Sequence, residues 1–519
     1  MTPFIDRRRF LSFSAAGVAV AGLSACSGGT GPSSASARIL PTDPAVATRE
    51  ARRATTGTEV TKRLTASPIK STVNGKSVAT WGYDDAIRGP VIRTKAGDQL
   101  RAVVDNQLPE PTSIHWHGLA LRNDQDGVPG VTQDAVAADS VFTYDFRVPH
   151  PGTHWYHSHV GTQRDRGLLG ALIVEDPDEP LEYTRDWVIV LDDWLDGLDA
   201  TPDETLERLA EGMSGMGHGS MPGMDHGSTP TGGQGTKSGG MAGMSMGSGS
   251  DYLGGDAGDV DYPVHLFNGK DPEEAETLEA AAGDVIRLRI INAAGDTAYR
   301  VGLPGQQLTP THTDGYPVRH TDVDAVVLGM GERIDALVKV QSGTTAVLAL
   351  PEGKIGQAVG YIDAGSGKIP ASSKLPDTLE GKVVDGGKLQ ADPSVALSEK
   401  ATDRTHELHL TGGMAKFDWG INGHRFNLET PYAQAFEVKV DERVEVVFIN
   451  DTMMWHPMHL HGHTFQVGND GARKDTVIVR PGETVRVLFD ADNPGQWLTH
   501  CHNVYHAEQG MMGVFSYTN

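Results

Sequence analysis

The sequence predicts an all-β chain of three consecutive β-sandwich domains, and three observations carry that reading. A Gly-Asp or Asp-Glu turn precedes an alternating strand ending in asparagine three times, at Gln99 to Asn106, Val285 to Asn292 and Arg443 to Asn450. Such recurrence is the mark of one structural unit repeated. Gly 63 and Pro 29, against only 6% aromatic residues, favour many turns and short strands over long helices. No strand–helix–strand alternation runs along the chain, so a parallel sheet is not expected. At 519 residues the chain exceeds what one core can organise.

In chain order, the first element is a targeting segment. Arg7-Arg8-Arg9-Phe10-Leu11 resembles a twin-arginine export signal, and the apolar stretch Phe13 to Leu23 after it is too short to stay in a membrane as a spanning helix. Leu23-Ser24-Ala25-Cys26 reads as a lipobox in which Cys26 is lipidated, or, on the blander reading, as an ordinary cleavage site near Ala25. The expected location is the outer face of the cytoplasmic membrane or the cell envelope, with the lipid on Cys26 as the only membrane contact. Residues 1–25 are then signal, and the Ser/Gly/Ala/Thr-rich residues 26–66 a flexible tether.

Three domains follow, at 67–180, 181–372 and 373–519. Strand-like runs include Phe142 to Phe146, Ala171 to Val174, Ala336 to Val340 and Thr484 to Phe489. Residues 212–250 break the pattern. They are dominated by Gly, Ser and Met, with methionines at 213, 216, 221, 224, 241, 244 and 246, and are expected to be disordered. The net charge of −24 excludes a nucleic-acid partner and fits a soluble exported protein, taken here as a monomer.

The chemistry is concentrated in histidine pairs. Four His-x-His pairs lie in strand-like contexts: His115/His117, His157/His159, His459/His461 and His500/His502. A spacing of two on a strand puts both imidazoles on one face, so each pair is half of a metal site. Composition alone would supply roughly one such pair. Cys501 lies between His500 and His502 and is the only cysteine beyond residue 26; His506 and Met511 follow. Two His, one Cys and a weak axial Met make a blue (type 1) copper ligand set. His500 and His502, facing away from Cys501, serve a different site. If the first and third domains abut, eight imidazoles converge, a set that suits three copper ions better than a closed zinc site.

These motifs resemble the multicopper oxidases, in particular their three-domain laccase-like and cuprous-oxidase branch. The resemblance runs through Gly152-Thr153-His154-Trp155-Tyr156-His157-Ser158-His159, through Trp455-His456-Pro457-Met458-His459-Leu460-His461-Gly462-His463, and through His500-Cys501-His502. Gly331-Glu332-Arg333-Ile334-Asp335 looks like a second-domain strand of that family, and the likeness covers about residues 68–519 outside the Met-rich insert. It implies cupredoxin-like Greek-key sandwiches and four copper ions. Type 1 would take His456, Cys501, His506 and Met511; type 2 would take His115 and His459. The type 3 pair would take His117, His157 and His502 on one ion and His159, His461 and His500 on the other. Single electrons would enter at type 1, pass through Cys501 to His500 and His502, and reduce dioxygen to water four at a time.

Asp126 matches an acidic position near the trinuclear centre of relatives. Many bacterial relatives carry a carboxylate directly after the second type 1 histidine; here that residue is Ala507, and Glu508 stands one later. Two electron donors fit the resemblance. The Met-rich insert favours Cu(I), because thioethers select soft ions. Met453, Met454 and Asp451 are candidate ligands for that substrate, although relatives place Asp where this chain has Thr452 and carry the insert in the third domain. The alternative is a general laccase oxidising phenols or aromatic amines. A copper-binding or storage protein without turnover, or a nitrite reductase, would not need the complete set of eight histidines.

Overall fold

Each strand-terminal asparagine does the same job. A computed structural model of the chain describes residues 37–211, 249–365 and 367–519. In it Asn106, Asn292 and Asn450 are buried, and each donates through Nδ2 to a carbonyl of a neighbouring loop or strand: Val136, Leu328 and Val479, at 2.9–3.0 Å. Each also accepts, through Oδ1, the amide of the residue two further on: Leu108, Ala294 and Thr452. A side chain that both donates and accepts locally replaces the ladder where the strand ends.

The three strands that end this way occupy equivalent places. Gln99–Asn106 pairs in parallel with Glu59–Val73 and antiparallel with Ser140–Arg147. Val285–Asn292 stands likewise between Arg185–Trp194 and Arg333–Lys339, and Arg443–Asn450 between Arg404–Thr411 and Thr484–Asp490. The described strands form six sheets, two per domain. The sheets are mixed: none is a parallel sheet, as expected, but each carries at least one parallel pair beside its antiparallel ones. Neighbouring parallel strands are joined by a Greek-key path through the opposite sheet, using Ile92–Lys95, Thr277–Glu279 or Phe436–Val438.

Strand burial alternates in Gln99–Asn106, as its sequence demands. In Val285–Asn292 the alternation vanishes, because the outward face packs on the first domain: Val188, Val190, Ile291 and Ala293 meet Trp155, Leu169, Ala171 and Ile173. Arg287 and Arg289 are buried there and neutralised by Asp335, Glu179 and Asp186.

The expected domain limits move at two places. The tether of 26–66 is ordered from residue 37: Asp43 caps helix Pro44–Glu50, the amide of Ile39 donates to Tyr517 O at 2.8 Å, and the first strand begins at Glu59. Ile39, Val46, Leu64 and Ala66 are buried, which supplies the apolar anchors a true linker lacks. Strand Val383–Asp385 pairs with Ala325–Leu328, so the second domain runs past the expected limit at 372. Residues 1–25 of the expected signal, 26–36 of the tether and 212–248 of the insert lie outside the described residues.

Candidate metal centres

His456 begins strand His456–Leu460, Cys501 ends strand Gln496–Cys501, and His506 lies on the short helix Val504–Glu508. Asn503 caps that helix, accepting from the amides of Tyr505 and His506 and folding His506 back onto Cys501. Cys501 Sγ is 3.6 Å from Nδ1 of both His456 and His506, and those two nitrogens are 3.0 Å apart. All three residues are buried, as is Met511, whose carbonyl accepts from the Cys501 amide and whose amide donates to His506 O. The far nitrogens are fixed as well. His506 Nε2 donates to Asp259 Oδ2 at 2.8 Å, and His456 Nε2 donates to Thr452 Oγ1 at 2.8 Å. The protons therefore sit on Nε2, and two bare Nδ1 lone pairs and a sulfur converge on one point. A proton or a metal cation at that point reconciles them. Burial opposes charge on His506, but the Asp259 carboxylate overrides it and lifts the imidazole to about 10, so a metal bound at Nδ1 would displace a proton.

The other eight imidazoles come four from the first domain and four from the third. His115 is in register with His157, and His459 with His500, across neighbouring strands. Across the seam, His115 stacks on His461 and His117 on His459, each with ring centroids 3.8 Å apart. Acceptors behind the rings choose the tautomers: His461 donates from Nδ1 to Asp126 Oδ2 (2.9 Å), His500 to Cys501 O (2.8 Å), His459 to Asp475 O (2.9 Å) and His157 to Ser158 O (2.9 Å). Bare Nε2 atoms of His461 and His500 then face each other at 3.1 Å. Nε2 of His115, His157, His159 and His459, and Nδ1 of His117, are buried without a protein partner. His159, His461 and His500 can hold one ion between them. His502 closes on His117 and His157, with centroids 4.9 and 5.4 Å away, and Arg164 lies 2.8 Å from its Nδ1. Burial first, then neighbouring imidazoles, hold His461 and His500 well below the usual histidine range, so both remain neutral ligands. This donor set fits copper.

Asp126 is fully buried at this seam, its Oδ1 3.2 Å from His115 Nδ1. Glu508 lines a cavity of about 30 Å³ with Ala507 and the rings of His157, His159, His500 and His502. That volume is room for one water. The three candidate substrate ligands separate. Met454 is buried in the core beside Cys501 and Met511, Met453 is 82% exposed, and Asp451 is half-exposed and paired with His409 at 2.7 Å.

Asp259 and Asp475 escaped the sequence: they are single polar residues without a spacing signal, and only tertiary pairing reveals them. Arg333 and Thr452 stood in recognisable stretches, but their roles behind the histidines were not legible there. The insert's flanks are equally informative. Leu206 and Leu209 of helix Pro202–Glu211, before it, and Val260 and Tyr262, after it, pack into the core that contains Cys501 and Met511.

Sequence models of the multicopper oxidase family match residues 65–179, 185–350 and 399–519. The chain is 41% identical to multicopper oxidase MmcO of Mycobacterium tuberculosis, over 99% of this chain and 97% of that one. It is 28% identical to a copper resistance protein A homolog of Pseudomonas syringae pv. tomato, over 88% and 91%. The crystal structure of a multi-copper oxidase from Pseudomonas thermotolerans superposes with a TM-score of 0.63 at 26% identity, covering 89% of this chain and 99% of that one.

Proposed function

The chain belongs to the multicopper oxidases, and on that premise we propose that it oxidises Cu(I) to Cu(II) in copper detoxification, with dioxygen as the terminal acceptor. Four Cu(I) ions each give up one electron, and one dioxygen takes four electrons and four protons to become two waters. The chain would hold four resident coppers. Type 1 is held by His456, Cys501, His506 and Met511, and type 2 by His115 and His459. One type 3 ion takes His117, His157 and His502, the other His159, His461 and His500. Bound there, copper supplies one-electron steps and a place to reduce dioxygen. The protein supplies the rest. Cys501 and its flanking histidines carry electrons between the centres, and Asp126 and Glu508 bring protons to the histidine cluster.

The observation that carries the choice of donor is the capping of both type 1 imidazoles. Asp259 covers the His506 edge and Thr452 the His456 edge, all four being buried. A bulky phenol finds no imidazole edge to touch, whereas a single ion needs none. Both flanks of the Met-rich insert reach the core of the same domain, thioethers select soft ions, and a chain of net charge −24 attracts cations. The similarity to a copper resistance protein supports the same donor.

The test is oxygen consumption by the copper-loaded protein with Cu(I) and with a bulky phenol, with and without residues 212–248. The deletion stops there because Ser250 is anchored to Glu352 at 2.8 Å. Cu(I) oxidation should fall several-fold more than phenol oxidation. Equal losses, or faster phenol than Cu(I) turnover in the intact protein, would favour the general laccase. Export by the twin-arginine route, a lipid anchor on Cys26 and a monomeric state belong to the same proposal. Cys26→Ala should release the protein from the membrane fraction.

A further inference from the structure

The second domain supplies none of the eight histidines at the seam, yet it reaches them. Gly331 has φ +89°, and a Cβ there would stand 3.0 Å from His502 and 3.1 Å from the His117 ring. Two residues on, Arg333 is fully buried and grips Asp475 with both arms of its fork, Nη1 to Oδ1 at 2.7 Å and Nη2 to Oδ2 at 2.6 Å. The guanidinium is itself held, with Nε donating to Thr153 O at 3.0 Å and Nη1 to Gly331 O at 3.1 Å. Asp475 in turn stands behind two ligands. Its Oδ1 is 3.1 Å from His117 Nε2 and 3.4 Å from His459 Nδ1, and its carbonyl accepts from His459 Nδ1 at 2.9 Å. Asp314, also of the second domain, accepts from the Arg333 amide at 2.9 Å and from the amides of Asp475 and Thr476 at 3.2 Å.

We propose that Arg333 is a positioning residue for the trinuclear centre: its bidentate hold on Asp475 sets the ring orientations of His459 and His117, and the second domain thereby governs retention of the type 2 copper. The inference rests on the four-copper reading above and is independent of which donor reduces the enzyme. His459 and His117 present Nε2 and Nδ1 inward because Asp475 occupies their other nitrogens. An ion held by two protein imidazoles depends more on the aim of each ring than one held by three. Partners behind the ligands of metal sites are worth roughly 10- to 100-fold in affinity. A lysine cannot reproduce the fork, since its ammonium is a single point of donation.

The experiment compares the copper-loaded parent with Arg333→Gln and Arg333→Lys by copper content, visible absorbance and electron paramagnetic resonance. Arg333→Gln should keep the blue type 1 absorbance, lose the type 2 signal and bind type 2 copper roughly 10- to 100-fold more weakly; Arg333→Lys should fall between. A full type 2 signal in Arg333→Gln overturns the proposal. A parent with a type 1 but no type 2 signal overturns the four-copper reading instead. Should Arg333→Gln not fold, the pair Arg333→Met with Asp475→Asn removes both buried charges together, which buried ion pairs tolerate better than loss of one partner. The same loss of type 2 signal is expected there, and its retention overturns the proposal.

Discussion

Asp259 lies 247 residues before the histidine it serves, and it makes the proposed type 1 centre a product of two domains. With Nδ1 of His506 turned to the metal and Nε2–H donated to a buried carboxylate, the imidazole becomes a stronger donor and the oxidised metal is favoured. Asp259→Asn should therefore raise the type 1 potential and, by freeing the His506 ring and weakening its hold on the metal, lower kcat/KM for Cu(I) about 10-fold, a typical cost for such partners. Redox titration of the blue band checks the first and oxygen uptake the second; an unchanged potential would remove Asp259 from this role. At this scale the ligands were legible and their partners were not. Histidines two apart on a strand announce a common face whatever the rest of the fold does. Asp259, Asp475 and Thr452 acquire meaning only from what the fold places opposite them. Asp126 was readable through its motif neighbours alone, since by itself it is an acid before Gly127, whose φ of +80° marks a turn.

At the scale of elements, the asparagine clips divide structural from functional effects. Asn292 closes a strand whose terminal loop has no metal ligand, whereas Asn450 bonds Met454 O at 2.7 Å and accepts from Thr452 at the threshold of His456. Replacing either by alanine orphans buried carbonyls, at about 1–3 kcal/mol. Asn292→Ala should lower the melting temperature and leave the blue band in place, while Asn450→Ala should lower the melting temperature and also shift the band. Identical spectra for the two variants would contradict this division. The three repeated strands were legible because turn, alternation and asparagine recur together. The ordered start of the chain was not, because a Ser/Thr-rich composition masks a few well-placed apolar residues such as Ile39 and Val46. The burial of Arg287 and Arg289 was equally hidden, since alternation predicts an outward face and not what comes to cover it.

At the scale of the whole molecule, Asp165 is where the three domains meet. Its Oδ2 accepts from Tyr262 of the second domain at 2.8 Å and from Tyr505 of the third at 3.2 Å. Burial first, then the neighbouring Asp193, raise its carboxyl to about 7 from an ordinary 3.8. The folded state thus keeps a proton that the unfolded chain has released. Its contribution to stability is greatest below about pH 4, declines as pH rises to about 7, and then stays level. Asp165→Asn removes that decline, so the melting temperature of the variant relative to the parent should be higher at pH 8 than at pH 5. An offset that is the same at both values would show that this carboxyl does not titrate in the folded protein.

The seam between the first and third domains also imposes an order on the protein's making. His115 and His117 leave the ribosome early, but their partners His459, His461 and His502 come from the third domain, far later in the chain. Domains fold as they emerge, first domain first, so for most of translation the early histidines wait without counterparts. The trinuclear centre cannot be filled in stages along a growing chain. Copper loading is then a test that a chain can pass only once its first and third domains have met.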